Sequence, residues 1–298
     1  MNTVSTQLAA AGLDPGRTEQ VVRAALDEDF RYGPDVTSAA TAAPGASAVA
    51  AVVARKPGVL AGLPVAVAVL DLAGVPPEAV RLRRSDGDRI RAGDEVMRIS
   101  GPLREMLGAE RTLLNFLTHL SGIATATRAW VDAVAGTGAV IRDTRKTTPG
   151  LRELEKYAVR CGGGENHRMG LGDAALVKDN HVAAAGGIAA AISAVRDVAP
   201  GLPLEVECDS LAQVSEAIAA KAGLILLDNM GLADLRNAVA LAREHPSVRL
   251  EASGGLRLEI ARAVAETGVD YLAVGALTHS SPALDLGLDL LADGPARD

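Results

Sequence analysis

From Arg142 to Lys178 the chain holds eight lysines and arginines against five aspartates and glutamates, although its overall formal charge is −7. Three of its five lysines (Lys146, Lys156, Lys178) lie there, with Arg142, Arg145, Arg152, Arg160, Arg168 and His167, and His181 follows just beyond. The stretch also contains Gly162-Gly163-Gly164 followed by Glu165-Asn166-His167-Arg168. An acidic protein that gathers cations beside a Gly-rich turn is suited to hold a small, highly charged anion. Arginine fits a carboxylate in particular, because its planar fork can bind both oxygens and stays charged at any relevant pH. Alone, the glycine turn reads equally well as a plain loop. Together with Arg145 and Lys178 it reads as half of an anion clamp.

Further chemistry-bearing residues recur at fixed places. Short apolar runs end in Arg142-Asp143-Thr144-Arg145-Lys146, in Lys178-Asp179-Asn180-His181, in the alternating Glu205, Glu207 and Asp209, in Asp228-Asn229, in Glu251 and Ser253-Gly254-Gly255, and in Gly275 followed by His279. One or two such ends would be structural ion-pair layers. Six point to a site. Ser253-Gly254-Gly255 before a helix, then Val274-Gly275-Ala276 on the next run, would let backbone approach phosphate oxygens and offer free N–H groups. Glu207 and Asp228 leave three readings open: Mg²⁺ held together with substrate phosphates, ion pairs with Lys146 or Lys178, or contacts to sugar hydroxyls.

These residues need a frame that collects them. Runs of β-type residues at 139–146, 175–181, 204–210, 224–229, 249–255 and 271–277 alternate with helix-like segments at 183–198, 211–220, 232–244 and 258–267, which predicts βαβ units and a parallel sheet. Six strands over this length approach a (β/α) barrel, with one more strand or an irregular start, and the strand ends would meet at its mouth. The first part of the chain differs. A helix is expected over 7–28 with a break at 13–17, strands at 47–55, 80–84 and 94–100, and a small α+β sandwich. Residues 103–134 read as helical, with Leu113, Leu114, Leu117 and Leu120 forming one stripe and Gly122 dividing two helices. Arg111 reads there as a surface residue. The expected class is therefore α/β, with an N-terminal α+β open-faced sandwich at 1–118 and a barrel-like domain at 119–280. The tail at about 281–298 would pack back onto the first.

The negative charge and an aromatic content of 2% argue against nucleic acid as the partner. The most apolar run, 59–70, is too short to span a bilayer and contains Pro64. Cys161 and Cys208 have no disulfide or metal-ligand spacing, and residues 1–16 lack the features of a signal peptide. A cytoplasmic enzyme is expected.

The segments DTRKTTPGLRELEKYAVRCGGGENHRMGLGDAALVKDNH, EVECDS, LILLDNM, LEASGG and DYLAVGALTHS, with DEDFRYGPDVTS and AERTLLNFLTHLSGIAT upstream, resemble the quinolinate phosphoribosyltransferases over nearly the whole chain. Departures are Cys208, where an aliphatic residue is usual, and RYGPDVTS, where a glycine-rich form is commoner. Neither alters a charged position. The resemblance implies an N-terminal sandwich, a C-terminal barrel, a homodimer that could assemble further, and Arg111 lent across the interface to the quinolinate pocket. It implies Thr144, Arg145, His167, Arg168 and Lys178 around quinolinate. It implies Lys146, Glu207, Asp228, Ser253, Gly254, Gly255, Gly275, Ala276 and His279 around phosphoribosyl pyrophosphate, with Mg²⁺ as cofactor at Glu207 and Asp228. The implied catalytic residues are Lys146, Lys178, Glu207 and Asp228. Arg142, Arg152, Lys156 and Arg160 are expected to be structural or solvated. Two other readings stand beside this one: a paralogous phosphoribosyltransferase acting on another pyridine or base, and a non-catalytic metabolite-binding barrel.

Overall fold

The computed structural model describes residues 3–291, which divide into two compact units. The first unit takes the chain up to Ala126, then Thr148–Gly163, then the residues from Ser280 onward. The second takes Thr127–Thr147 and Gly164–His279. Residues 292–298 of the expected tail lie outside the described residues.

The first unit opens with α1 (Thr3–Ala10) and α2 (Pro15–Phe30). The expected break is made by Asp14, whose side chain accepts the Arg17 N–H at 2.9 Å, and by Pro15, which starts α2 where no N–H is needed. After α3 (Val36–Thr41) come the strands β1 (Ser47–Ala54), β2 (Gly58–Val59), β3 (Val80–Leu82), β4 (Arg89–Ile90) and β5 (Glu95–Pro102). The main sheet is antiparallel, in the order Leu286–Leu290, β1, β5, β3, so the final strand returns to the sheet of this unit. Helix α4 (Leu63–Leu72) is buried along most of its length, and Asp86 accepts the N–H groups of Gly62 and Leu63 at its start.

Helix α5 (Leu103–Ala133) is continuous, which corrects the expectation of a break at Gly122. A glycine in mid-helix costs about 1 kcal/mol relative to alanine, so a packing reason is expected. At Gly122 a Cβ would collide with the carbonyl oxygen of Pro282 and the Cα of Ala283. The residue is small because the chain returning to the sheet crosses α5 there, and Leu284 N–H bonds to the Thr118 carbonyl at 2.9 Å just beyond. Gly122→Val should therefore destabilise the protein by about 1–3 kcal/mol through overpacking. Chemical denaturation would read this as a lower midpoint, and an unchanged midpoint would refute the packing argument.

Helix α6 (Arg152–Cys161) also belongs to the first unit. Its Glu155 is fully buried, meets His119 Nε2 at 2.9 Å and accepts the Thr148 N–H at 3.0 Å. Lys156 is fully buried too, which makes it structural rather than solvated. Arg160 bonds the Ala11 carbonyl at 3.3 Å.

The second unit carries a six-stranded parallel sheet of β6 (Val140–Arg142), β7 (Ala175–Val177), β8 (Leu204–Cys208), β9 (Leu224–Asp228), β10 (Arg249–Ser253) and β11 (Tyr271–Ala273). The order is β6-β11-β10-β9-β8-β7. The register sets Ser253 beside Asp228 and Ala273 beside Arg142, so all carboxyl ends lie on one edge. Of the two alternatives, one more strand or an irregular start, the described residues show only a single-residue bridge beside β6. Glu165 lies parallel to β6, donating its N–H to the Ile141 carbonyl at 2.8 Å and accepting the Asp143 N–H at 3.2 Å.

The connecting helices are α7 (Asp179–Ala185), α8 (Ile188–Val198), α9 (Leu211–Ala219), α10 (Leu232–Ala242), α11 (Leu258–Ala265) and α12 (Ala276–His279). Apolar stripes such as Leu235, Ala238, Val239 and Ala242 are buried at helical spacing. The single helix expected over 183–198 is two helices. Gly186 (φ 84°) and Gly187 (φ 143°) interrupt it in conformations that other residues adopt only under strain. Among the described residues no helix is long and apolar enough to cross a membrane.

Candidate active site

The loop after β6 presents Thr144, Arg145 and Lys146. Thr144 Oγ1 accepts the Lys146 N–H at 3.0 Å, and Thr278 Oγ1 donates to the Lys146 carbonyl at 2.8 Å, so the Lys146 backbone is held from both sides. Gly275 lies under the Lys146 side chain. A Cβ there would come within 2.9 Å of Lys146 Cδ and 3.4 Å of both His279 Nε2 and Thr144 Oγ1. Thr144, Lys146, Gly275 and His279 are thus one group, with the lysine and the histidine exposed and Ala276 exposed at the start of α12.

Arg145 and Arg168 form a second group. Burial, and then the positive charge of Arg145, lower the pKa of the Arg168 guanidinium. Arg168 donates to the Ala174 carbonyl at 3.0 Å, and Nε of Arg145 is buried without a hydrogen-bond partner. Two guanidiniums held together in partial burial repel each other, and an anion between them removes that cost.

His167 points away from open solvent. Its Nδ1 accepts the Arg168 N–H at 2.7 Å, which leaves the hydrogen on Nε2, facing Glu205 Oε2 at 2.7 Å and Glu251 Oε1 at 3.5 Å. Glu205 and Glu251 are both buried, and Arg142 pairs with Glu251 at 2.6 Å while stacking over the Tyr271 ring at 4.3 Å. Burial, and then the charge of Glu205, push the Glu251 carboxyl up to about 7, against the opposing pull of His167 and Arg142. His167, Glu205 and Glu251 are also the one cluster of three potential metal ligands among the described residues. Arg142 already supplies a cation to that cluster, and is therefore structural as expected.

Lys178, exposed at the N-terminus of α7, pairs with Glu207 at 2.5 Å, which realises one of the readings left open for that glutamate. Asp228 accepts from Asn229 Nδ2 at 2.7 Å. Asn229 adopts a positive φ of 54° and donates its N–H to the Ser253 carbonyl at 2.9 Å. Its side chain then covers Gly254 (φ 85°), where any Cβ would strike the Asn229 amide. Gly255 (φ 60°) continues the turn. Asp228, Ser253, Gly254 and Gly255 are thereby gathered at adjacent strand ends.

Asp209 is exposed beyond β8, its N–H bonded to Gln213. Arg111 is exposed on α5 in the first unit. Both thiols are unbridged, and burial pushes each up to about 12, so neither is a ready nucleophile. The sequence reading names Asp143, Asn229 and Glu251 among the strand-end residues but gives them no role. Each stood at a strand end, but their importance rests on hydrogen bonds that spacing does not reveal.

Residues 123–289 match the family model "Quinolinate phosphoribosyl transferase, C-terminal domain", and residues 35–121 match the corresponding N-terminal domain. The nicotinate-nucleotide pyrophosphorylase (carboxylating) of Mycobacterium leprae is 55% identical over 273 residues, covering 90% of this chain and 95% of that protein. The solved nicotinate-nucleotide pyrophosphorylase of Francisella tularensis is 37% identical, with a TM-score of 0.86, covering 93% of this chain and 96% of that one. Human nicotinic acid phosphoribosyltransferase shares the fold at 15% identity and a TM-score of 0.58.

Proposed function

The chain belongs to the quinolinate phosphoribosyltransferase family, and on that premise we propose how its strand ends divide the work. The enzyme transfers the phosphoribosyl group of phosphoribosyl pyrophosphate to quinolinate, releasing pyrophosphate and carbon dioxide and forming nicotinate mononucleotide for de novo NAD synthesis. The observation that carries the assignment of roles is that Arg145 and Arg168 are both half-buried, that Nε of Arg145 is buried without a hydrogen-bond partner, and that burial and then the charge of Arg145 lower the pKa of Arg168. A dicarboxylate is the ligand that such a pair favours. Lys178, released from Glu207, adds a third positive charge. Thr144 and His167 border the same loops, His167 through its hold on Arg168.

Lys146, His279 and the backbone at Gly275 and Ala276 face the pyrophosphate, and Ser253, Gly254 and Gly255 take the ribose phosphate. As the C1–O bond breaks, its electron pair leaves with pyrophosphate, and the ring nitrogen of quinolinate bonds to C1. The nitrogen, now quaternary, accepts electron density as the adjacent C2–carboxylate bond breaks. Carbon dioxide departs and C2 takes up a proton. Glu207 and Asp228 favour the positive character of the ribose. No protein nucleophile enters, which agrees with the two inert thiols.

Glu207 and Asp228 offer oxygen donors alone, from half-buried side chains at adjacent strand ends. That chemistry fits Mg²⁺ held mostly by phosphates and water, rather than by an all-protein cage. When bound, Mg²⁺ would neutralise the phosphate charges. Stripping divalent ions with a chelator should lower product formation by about two orders of magnitude, and added Mg²⁺ should restore it. Full activity after chelation would remove the metal from the account. We further assign a homodimer in which the partner supplies Arg111, whose exposure on α5 leaves it available. A cytoplasmic location agrees with the free thiols.

A further inference from the structure

We propose that Asp143 is a positioning residue that holds the two arginines of the quinolinate clamp together. This rests on the assignment of Arg145 and Arg168 to quinolinate. The two arginines come from separate segments, one following β6 and the other following the Gly162-Gly163-Gly164 turn. Their like charges push those segments apart. Backbone pairing opposes the repulsion only at Glu165. Among the described residues it ends with the Asp143 N–H bonded to the Glu165 carbonyl at 3.2 Å.

The Asp143 side chain carries the connection onward. One carboxylate oxygen accepts the His167 N–H at 2.9 Å, and the other accepts from Asn166 Nδ2 at 2.6 Å. The residue is fully buried, so these bonds are shielded from water. Asp143 is two residues from Arg145, and its acceptors hold the two residues before Arg168. His167 passes the constraint on, because its ring accepts the Arg168 N–H and is itself fixed by Glu205. A carboxylate suits this place because it accepts two hydrogen bonds in different directions. Its negative charge also lies between two cationic segments. Lys146 has independent anchors at Thr144 and Thr278, so loosening Asp143 should spare the pyrophosphate side.

The test is steady-state kinetics and quinolinate calorimetry on Asp143→Ala, Asp143→Asn, Asn166→Ala and Arg145→Ala. Asp143→Ala should raise the quinolinate KM by roughly tenfold or more, as expected when a binding group is misplaced by a fraction of an ångström, and leave the phosphoribosyl pyrophosphate KM within about twofold. Asp143→Asn keeps one acceptor and should recover much of the loss. Asn166→Ala removes one bond and should have a smaller effect of the same kind. A quinolinate KM at the wild-type value in folded Asp143→Ala overturns the proposal, as does an equal rise for both substrates. If Asp143→Ala does not fold, Asp143→Asn and Asn166→Ala decide, and wild-type quinolinate KM in both overturns it. Loss of quinolinate affinity in Arg145→Ala with none in the Asp143 set leaves the clamp standing without its pin. No loss in Arg145→Ala overturns the clamp and the pin together.

Discussion

Arg145→Ala should lose quinolinate affinity by two to three orders of magnitude, an effect of about 3–4 kcal/mol, the scale for truncating one partner of a buried charge pair. Arg145 is half-buried, its Nε has no hydrogen-bond partner, and its charge adds to burial in lowering the pKa of Arg168. A cation kept in that state is compensated when a dianion arrives. Removing it takes away one fork of a two-forked site and leaves Arg168 to bind one carboxylate where quinolinate brings two. The KM for phosphoribosyl pyrophosphate should change little, because Lys146 and the Gly254 turn are held by other bonds. Arg145→Lys should recover a small part of the loss, since an ammonium cannot reproduce bidentate geometry. Titration calorimetry with quinolinate alone reads the effect directly. Affinity at the wild-type level would remove the clamp from the account.

Lys146→Ala should act on turnover instead. The lysine lies over Gly275, within reach of His279 and Thr144, and its backbone is fixed at both the N–H and the carbonyl. Such a side chain is placed to meet charge that develops on departing pyrophosphate, and interactions stronger in the transition state than in the ground state appear in kcat. Removing one preorganised group of this kind costs about two to three orders of magnitude in rate. Quinolinate affinity should stay near the wild-type value, which separates this variant from Arg145→Ala. Gly275→Ala should partly mimic it, because the new methyl group would displace the lysine stem. An unchanged kcat in Lys146→Ala would exclude a leaving-group role.

The two variants rest on features of different legibility. The strands of the second unit were readable because each is a short apolar run ending abruptly in charge, as in Leu224–Asp228. A parallel order brings those ends together, so the positions of Lys178, Glu207, Asp228 and Ser253 followed from periodicity and topology. The long-range hydrogen bonds did not. Glu205 and Glu207 were rightly placed on one face of β8, yet the former is buried against His167 while the latter reaches Lys178. That difference depends on depth in the sheet, which alternation alone does not encode. Gly122 misled for a related reason. A glycine inside a helical pattern can mark a break or a close packing contact, and here it marks a crossing by Pro282, far away in sequence. The reverse case is Gly186-Gly187, where two consecutive glycines do end a helix that the apolar pattern ran through. Asp143 was visible as a charged strand end, but its two acceptor bonds depend on where the chain returns after the Gly162-Gly163-Gly164 turn.

Arg142 and Lys156 illustrate the same division. The sequence reading makes both structural or solvated within a cationic stretch. Burial decides the matter: Arg142 is paired to Glu251 and stacked on Tyr271, and Lys156 is enclosed in the first unit. The cationic stretch is therefore one feature in sequence and several in space. It contains the arginines proposed to clamp a dicarboxylate, the lysine proposed to meet pyrophosphate, and charges committed to the frame.

The proposed function requires that this site select a dicarboxylate and couple its decarboxylation to pyrophosphate release. Pyrophosphate release measured with phosphoribosyl pyrophosphate and either quinolinate or nicotinate, with and without Mg²⁺, tests it most directly. The expected result is Mg²⁺-dependent release with quinolinate, matched by an equal amount of carbon dioxide, and little or none with nicotinate. Comparable release with nicotinate, or none with quinolinate, would contradict it.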